Sequence, residues 1–257
     1  MTDAEDLRGK TVLLTGASGG IGAATAGELL ARGAHLVAHY ASDQAGAAEA
    51  CAGAPAERWT TIAADLSVRG AARGLWRDAL AWRERIDVVV LNAAVMPDTP
   101  FDGDDETWDD NWERTMRVNV LEPASLAREA LRHFQARGGG ALITLSSWAA
   151  QRGSAIPHLS AYAASKAAIR TVAQTIARNH AREGVFSYVV APGIVRTPMS
   201  EISAEHRGGI DALNAQLAMG RMVEPDEVAR IVAFLAGGSA PSLTGATLDV
   251  SGATYIR

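Results

Sequence analysis

Short apolar runs alternate with helical stretches along the whole chain. The first run, TVLLTG at residues 11–16, is followed by a helical stretch from about Gly20 to Arg32, with Gly33 suited to a C-cap. Six more strand candidates follow: HLVAHY (35–40), WTTIAADLS (59–67), IDVVVLNAA (86–94), ALITLSS (141–147), FSYVVAPG (186–193) and ATLDVSG (246–252). Apolar strands separated by helices predict a parallel sheet covered on both faces. We therefore expect one α/β domain over residues 1–257, a doubly wound Rossmann domain with a seven-stranded, mainly parallel sheet.

Residues 198–223 interrupt this alternation with a long irregular segment. Within it, Ile210, Leu213 and Leu217 recur at helical spacing. The segment is either a short helical lid over a substrate site or an ordinary surface excursion, and the sequence leaves both open.

The glycine-rich stretch TGASGGIG lies between the first strand and the first helix. Gly16 permits a tight turn, Gly20 lets the backbone approach a pyrophosphate, and Gly22 allows close helix–strand packing. The helix N-terminus adds unpaired N–H groups and a partial positive charge. Because the stretch directly follows an apolar strand, it predicts dinucleotide binding rather than a bare structural turn.

Composition and charge narrow the possible partners. The chain is 48% apolar and carries a net charge of −5, which disfavours nucleic acid and anionic membranes, since both prefer basic surfaces. No run approaches the roughly 20 apolar residues of a membrane span. The single cysteine, Cys51, excludes an intramolecular disulfide, and the first ten residues lack an apolar signal-peptide core. We expect a cytoplasmic protein without a metal site.

Tyr162 and Lys166 lie four residues apart in the alanine-rich stretch LSAYAASKAAIRTV, and therefore on one face of a helix. Alone, such a pair is more often a surface feature. Here it follows a strand that ends in LSS, on the side of a parallel sheet where ligands bind. Reduction of a carbonyl needs a proton donor, and a nearby ammonium lowers the pKa of a tyrosine towards the working range.

The motifs together resemble those of the short-chain dehydrogenase/reductase family. They occur in the family's order: the spacing Gly-x-x-x-Gly-x-Gly, then ADLS, LNAA, VNV, SS, YAASK, APGIVRTPM and LTGATLDVSG. The resemblance covers nearly the whole chain. It implies an NAD(P)-dependent enzyme that transfers a hydride between nicotinamide and a small-molecule carbonyl/alcohol pair.

The resemblance also implies residue roles. Tyr162 would be the acid/base, and Lys166 would lower its pKa and hold the nicotinamide ribose. Ser147 would donate a hydrogen bond to the substrate oxygen, although Ser146 is an alternative because the interval to Tyr162 is longer than usual. Asn119 would hold a water in a proton relay. The implied cofactor-binding residues are Gly16, Ser18, Gly20, Ile21, Gly22, Tyr40, Ser42, Asp65, Leu66, Asn92, Ala93, Ala94, Tyr162, Lys166, Pro192, Gly193, Val195 and Thr197.

The end of the second strand bears on the choice of coenzyme. An acidic residue about 20 positions beyond the glycine turn would bind the ribose 2′-OH and repel a 2′-phosphate. By resemblance, Tyr40 occupies that position. Donors suited to a phosphate are offered by His39, Tyr40 and Ser42, whereas Asp43 would interfere if it faced the site, and no arginine clamps it. NADP(H) is favoured, with NAD(H) or dual use as the alternative.

Side chains near the expected substrate site favour an apolar carbonyl or alcohol, although each is equally suited to packing: Met96, Trp148, Ile156, His158, Met199, Ile202, Ile210, Leu213 and Met219. A narrower hypothesis is a 3-oxoacyl-[acyl-carrier-protein] reductase, whose acidic carrier would need a basic patch such as Arg152, Arg196, Arg207 and Arg221. A hypothesis of another class is a non-catalytic nucleotide-binding sensor or scaffold, which the intact tyrosine, lysine and serine disfavour.

The family commonly forms homotetramers through helices that flank the site. The resemblance therefore implies a homo-oligomer, and small residues around the tyrosine would suit helix contact between subunits: Ala161, Ala164 and Ala168.

Overall fold

All seven expected strands join one parallel sheet in the computed structural model, which describes residues 6–154, 156–198, 200–201 and 209–256. The strands are β1 (Thr11–Leu14), β2 (His35–Tyr40), β3 (Trp59–Ala63), β4 (Val88–Leu91), β5 (Gly140–Leu145), β6 (Val185–Pro192) and β7 (Thr247–Val250). Their order is β3-β2-β1-β4-β5-β6-β7, so the predicted doubly wound fold is confirmed. The order reverses between β1 and β4, where such sheets open a crevice at the strand C-termini.

Helices connect the strands. They are α1 (Gly20–Ala31), α2 (Gln44–Glu49), α3 (Ala71–Arg83), α4 (Asp105–Met116), α5 (Glu122–Arg137), α6 (Ala149–Arg152), α7 (Ser160–His180), α8 (Gly209–Gln216) and α9 (Pro225–Gly237). A π-helical turn, Arg117–Leu121, separates α4 from α5. In the part of the chain that the structure describes, no helix is both long and apolar enough to cross a membrane.

The sheet is covered on both faces, as its apolar strands require. Val12 and Leu14 pack in one core layer, which α1 and α9 complete. Leu13 lies between them in sequence and packs in the opposite layer, against α3, α5 and α7. Because successive strand residues point to opposite faces, one short apolar run supplies both layers.

The two ends of the irregular segment 198–223 lie close together. At its base, the Val223 N–H donates to the Ile194 carbonyl (2.9 Å), and the Arg196 N–H donates to the Val223 carbonyl (2.8 Å). Helix α8 contains Ile210 and Leu213, two of the residues at helical spacing. Leu213 packs against Met222. Three residues named above lie outside the described residues: Met199, Ile202 and Arg207.

Candidate active site

The glycine-rich turn after β1 is packed closely enough to require glycine. Gly16 has φ +70°, and a Cβ built on it would lie 2.9 Å from the Ala93 Cα. A Cβ on Gly22 would lie only 1.8 Å from the Gly16 carbonyl oxygen. The turn therefore brings bare backbone to the N-terminus of α1, which is the cradle that a pyrophosphate needs.

Side chains from β1 and β4 hold this turn in place. The Asn92 amide Nδ2 donates to the carbonyls of Thr15 and Gly16, each at 2.9 Å. The Thr15 hydroxyl donates to the Val90 carbonyl (3.2 Å) and accepts from the Asn92 N–H (2.9 Å). The two strands that meet where the strand order reverses are thus linked through their ends.

His39 does not serve the function that the sequence suggested for it. The expectation that it donates to a coenzyme phosphate is wrong, because both of its ring nitrogens have backbone partners, the Gly16 N–H and the Ala64 carbonyl. The ring is also buried, with 2% of its surface exposed. Asp43 accepts from the Gly46 N–H at the start of α2, so its carboxylate caps that helix.

A cavity of about 540 Å³ lies over the C-terminal edge of the sheet. Of the residues predicted to bind cofactor, it is lined by Gly16, Ser18, Gly20, Ile21, Gly22, Asp65, Leu66, Asn92, Ala93, Ala94, Tyr162, Lys166, Pro192, Gly193, Val195 and Thr197. Tyr40 and Ser42 are not among its lining residues, whereas the neighbouring His39 and Ala41 are. A contact of Tyr40 or Ser42 with a ribose stays a prediction.

Three of the four predicted catalytic residues meet in the same cavity. Ser147, the second residue after β5, places its hydroxyl close enough to that of Tyr162 to influence its pKa. The Lys166 ammonium lies 5.7 Å from the centre of the Tyr162 ring and donates to the Leu145 carbonyl at 2.9 Å. The neighbouring Ser146 donates instead to the Lys166 carbonyl (2.9 Å), which ties β5 to α7.

Burial dominates the electrostatics of the pair on α7. It raises the pKa of Tyr162, and the Ser147 hydroxyl lowers that pKa by less. Burial also lowers the pKa of Lys166 to about 8. The expected lowering of the tyrosine pKa by Lys166 is therefore not found in the protein alone, because both groups are removed from water.

Asn119 lies in the π-helical turn and does not line the cavity. Its Oδ1 accepts from the Val95 N–H (2.8 Å), and its Nδ2 donates to the Val95 carbonyl (2.9 Å) and to the Ser165 hydroxyl (3.0 Å). It thereby joins the segment after β4 to the residue before Lys166. Its predicted role in a proton relay stays a prediction.

The far end of the cavity is apolar. Its walls there include Met96, Trp148, Ile156, Leu159, Ile194 and Leu213. His158 is not among the lining residues, and its carbonyl accepts from the Thr99 N–H (2.7 Å). Sequence reasoning missed Arg114 and Val118, which line the cavity from the helix that leads to Asn119. Val118 is the first residue of the VNV motif, and Arg114 lies four residues before it on the same helix face, which was a usable signal.

A glycine turn at the crevice of a parallel sheet, beside a serine–tyrosine–lysine set, defines a nicotinamide-dependent oxidoreductase. Residues 16–253 match a family model described as enoyl-(acyl carrier protein) reductase. The chain belongs to the short-chain dehydrogenase/reductase family. It is an NAD(P)-dependent enzyme that transfers a hydride between nicotinamide and a carbonyl/alcohol substrate.

The chain is similar to dehydrogenases and reductases named for several different substrates. The chain is 34% identical to 3beta-hydroxysteroid dehydrogenase 1 of Eggerthella lenta, over 96% of this chain and 94% of that protein. It is 31% identical to cis-4-hydroxycyclohexanecarboxylate dehydrogenase of Sinomonas cyclohexanicum, over 95% of each. Among solved structures, the angucycline C-6 ketoreductase LanV with bound NADP has a TM-score of 0.84 at 32% identity, over 97% of this chain and 96% of that chain.

Proposed function

We propose that this enzyme interconverts a ring-bearing ketone and its secondary alcohol, with Tyr162 as the acid/base. The observation that carries the proposal is that Ser147, Tyr162 and Lys166 line the same cavity as a set of apolar side chains. The similar hydroxysteroid and hydroxycyclohexanecarboxylate dehydrogenases support a cyclic substrate.

The chemistry divides between the coenzyme and the protein. When bound, the nicotinamide supplies or accepts the hydride. Tyr162 donates its phenolic proton to the substrate oxygen in reduction and takes it back in oxidation. Ser147 donates a hydrogen bond to the same oxygen as negative charge develops there. Lys166 stays positively charged below its pKa of about 8 and favours the transient phenolate.

NADP(H) remains the preferred coenzyme in this proposal. The position where a carboxylate would repel a 2′-phosphate holds Tyr40, and the nearby Asp43 carboxylate is engaged in capping α2. Solved relatives with bound NADP also support it. Dissociation constants for NADPH and NADH test it directly, and equal values would contradict it.

Turnover on a panel of ketones tests the substrate class. We expect kcat/KM to be higher for alicyclic ketones than for 3-oxoacyl thioesters on an acyl carrier. Two of the four arginines that an acidic carrier would use already have carboxylate partners, Arg196 with Glu224 and Arg221 with Glu227. A strong preference for the carrier-bound thioester would overturn the proposal.

The residue roles are tested on the same panel with three variants. Tyr162→Phe is expected to lower kcat by roughly 10²–10⁴-fold while coenzyme binding persists. Ser147→Ala should lower kcat more than Ser146→Ala, because Ser147 influences the Tyr162 hydroxyl whereas the Ser146 hydroxyl donates to the Lys166 carbonyl. Equal losses in the two serine variants would contradict the assignment of Ser147.

Residues 198–223 form the substrate lid in this proposal. Two observations support it: Leu213 of α8 lines the cavity, and the segment is anchored at its base by a bridge between Val195 and Val223. Leu213→Ala should raise KM for the ketone and leave the NADPH dissociation constant unchanged. A changed coenzyme constant with an unchanged ketone KM would contradict a lid.

We also propose a homotetramer with contacts on the α7 side. Phe101 is 76% exposed and lies beside an apolar groove that includes Ala164. Ala161, expected at the subunit contact, is instead fully buried within the chain. Light scattering of wild type and Phe101→Lys tests this, and a wild-type monomer would contradict it. A cytoplasmic location stays a prediction.

A further inference from the structure

His39 connects the ends of three neighbouring strands. Its Nδ1 lies 3.0 Å from the Gly16 amide nitrogen, in the turn after β1. Its own carbonyl, in β2, accepts from the Ala17 N–H at 2.8 Å. Its Nε2 lies 2.8 Å from the Ala64 carbonyl, directly after β3. Two consecutive N–H groups of the glycine turn thus bond to this one residue.

These partners determine the state of the ring. A backbone N–H can only donate and a carbonyl can only accept, so Nδ1 is the acceptor and Nε2 carries the proton. A second proton on Nδ1 would face the Gly16 N–H and break that bond. Burial lowers the pKa of His39, against a smaller raising effect of the Ala64 bond, which agrees with a neutral ring.

We propose that His39 is a positioning residue for the coenzyme site, acting through Gly16 and Ala64 without donating to the coenzyme. Through Gly16 it fixes the turn that faces the pyrophosphate. Through Ala64 it fixes the segment of Asp65 and Leu66, which lines the same cavity. A turn already held in its binding geometry loses less freedom when a ligand binds, so the ring contributes to coenzyme affinity. This inference rests on the nucleotide site of the proposed function.

Three substitutions separate the two ring bonds. His39→Asn places an amide oxygen near the position of Nδ1 and keeps an acceptor for the Gly16 N–H. His39→Gln places its amide near Nε2 and keeps a donor for the Ala64 carbonyl. His39→Leu keeps apolar bulk and loses both bonds. His35→Leu is the matched control, since His35 begins the same strand and is not among the cavity-lining residues.

The measurements are the dissociation constants of NADPH and NADH, by fluorescence titration, together with kcat and KM. We expect His39→Leu to weaken binding of both coenzymes about tenfold, equivalent to about 1.4 kcal/mol. Saturating coenzyme should restore kcat, because the defect lies in binding. His39→Asn should recover most of the affinity, and His35→Leu should bind as wild type does.

Wild-type affinity in His39→Leu, or a fall in kcat at unchanged affinity, would overturn the inference and leave the proposed function intact. Failure of the wild type to bind either coenzyme would overturn both. If circular dichroism shows that His39→Leu does not fold, the comparison of His39→Asn with His39→Gln provides the test. The Asn variant should then bind more tightly than the Gln variant, and equal affinities would overturn the inference.

Discussion

Gly22→Ala tests whether the glycine turn has the close packing that the structure gives it. The new Cβ would lie 1.8 Å from the Gly16 carbonyl oxygen and 2.8 Å from the Asn92 Nδ2, so backbone has to move. Overpacking of this kind costs up to about 3 kcal/mol, and better helix propensity returns at most about 1 kcal/mol. The net loss of about 2 kcal/mol should lower the unfolding temperature by roughly 4–8 °C.

The assay is thermal unfolding of each variant with and without NADPH, alongside a coenzyme titration. Gly19→Ala is the matched control three residues earlier in the same turn. Gly19 has an extended backbone with φ −171°, and a Cβ there would meet nothing within 4 Å. The control loses at most about 1 kcal/mol, from the weaker N-cap of α1. If Gly22→Ala and Gly19→Ala have the same unfolding temperature and the same NADPH dissociation constant, the packing argument is wrong.

Three further predictions concern pH and reactivity. Burial lowers the folded-state pKa of His35, His39 and His133, so the unfolded chain takes up protons first as pH falls below about 6.5. The free energy of unfolding should therefore decline between about pH 7.5 and 5.5, and the decline should be smaller in His39→Asn. Urea titrations at several pH values measure it. Arg221 holds the pKa of Glu227 at about 2, so this carboxylate stabilises the fold above pH 4.5 and its contribution is lost towards pH 2. Glu227→Gln should lower the free energy of unfolding by less than about 1 kcal/mol at neutral pH, since the pair is partly exposed. It should also reduce the fall in the free energy of unfolding towards pH 2. Burial raises the pKa of Cys51 to about 11, so a thiol reagent should label it only on unfolding, and fast native labelling would contradict the structure.

The fold could be predicted because each of its strands and most of its helices are encoded by short, contiguous stretches of sequence. Each strand is a short apolar run next to its own helix, and the handedness rules for parallel sheets leave few ways to join them. Helix α4 is the exception, since it is rich in acidic residues and Thr115 is its only fully buried residue. Its start depends on Asp104, which caps the Thr107 N–H.

The candidate site was predictable to the extent that backbone geometry dictates residue type. Gly16 and Gly22 stand where a Cβ cannot, and Tyr162 and Lys166 share a helix face directly after a strand that ends in LSS, so spacing and context together reveal them. His39 could not be interpreted in this way. Its position at a strand end was visible, but its two hydrogen bonds go to residues brought near only by the pairing of three strands.

The two ends of the cavity therefore differ in how far sequence determines them. At the coenzyme end, glycine backbone and strand-end side chains such as Asn92 are fixed by the sheet itself. At the substrate end, the walls come from segments outside the sheet, including Trp148 just before α6 and Leu213 on α8. Many apolar sequences would close these walls without changing the fold or the chemistry at Tyr162. The reaction is thus set by elements that the fold constrains, whereas the substrate is set by elements that it does not, and a ketone panel is the measurement that can identify it.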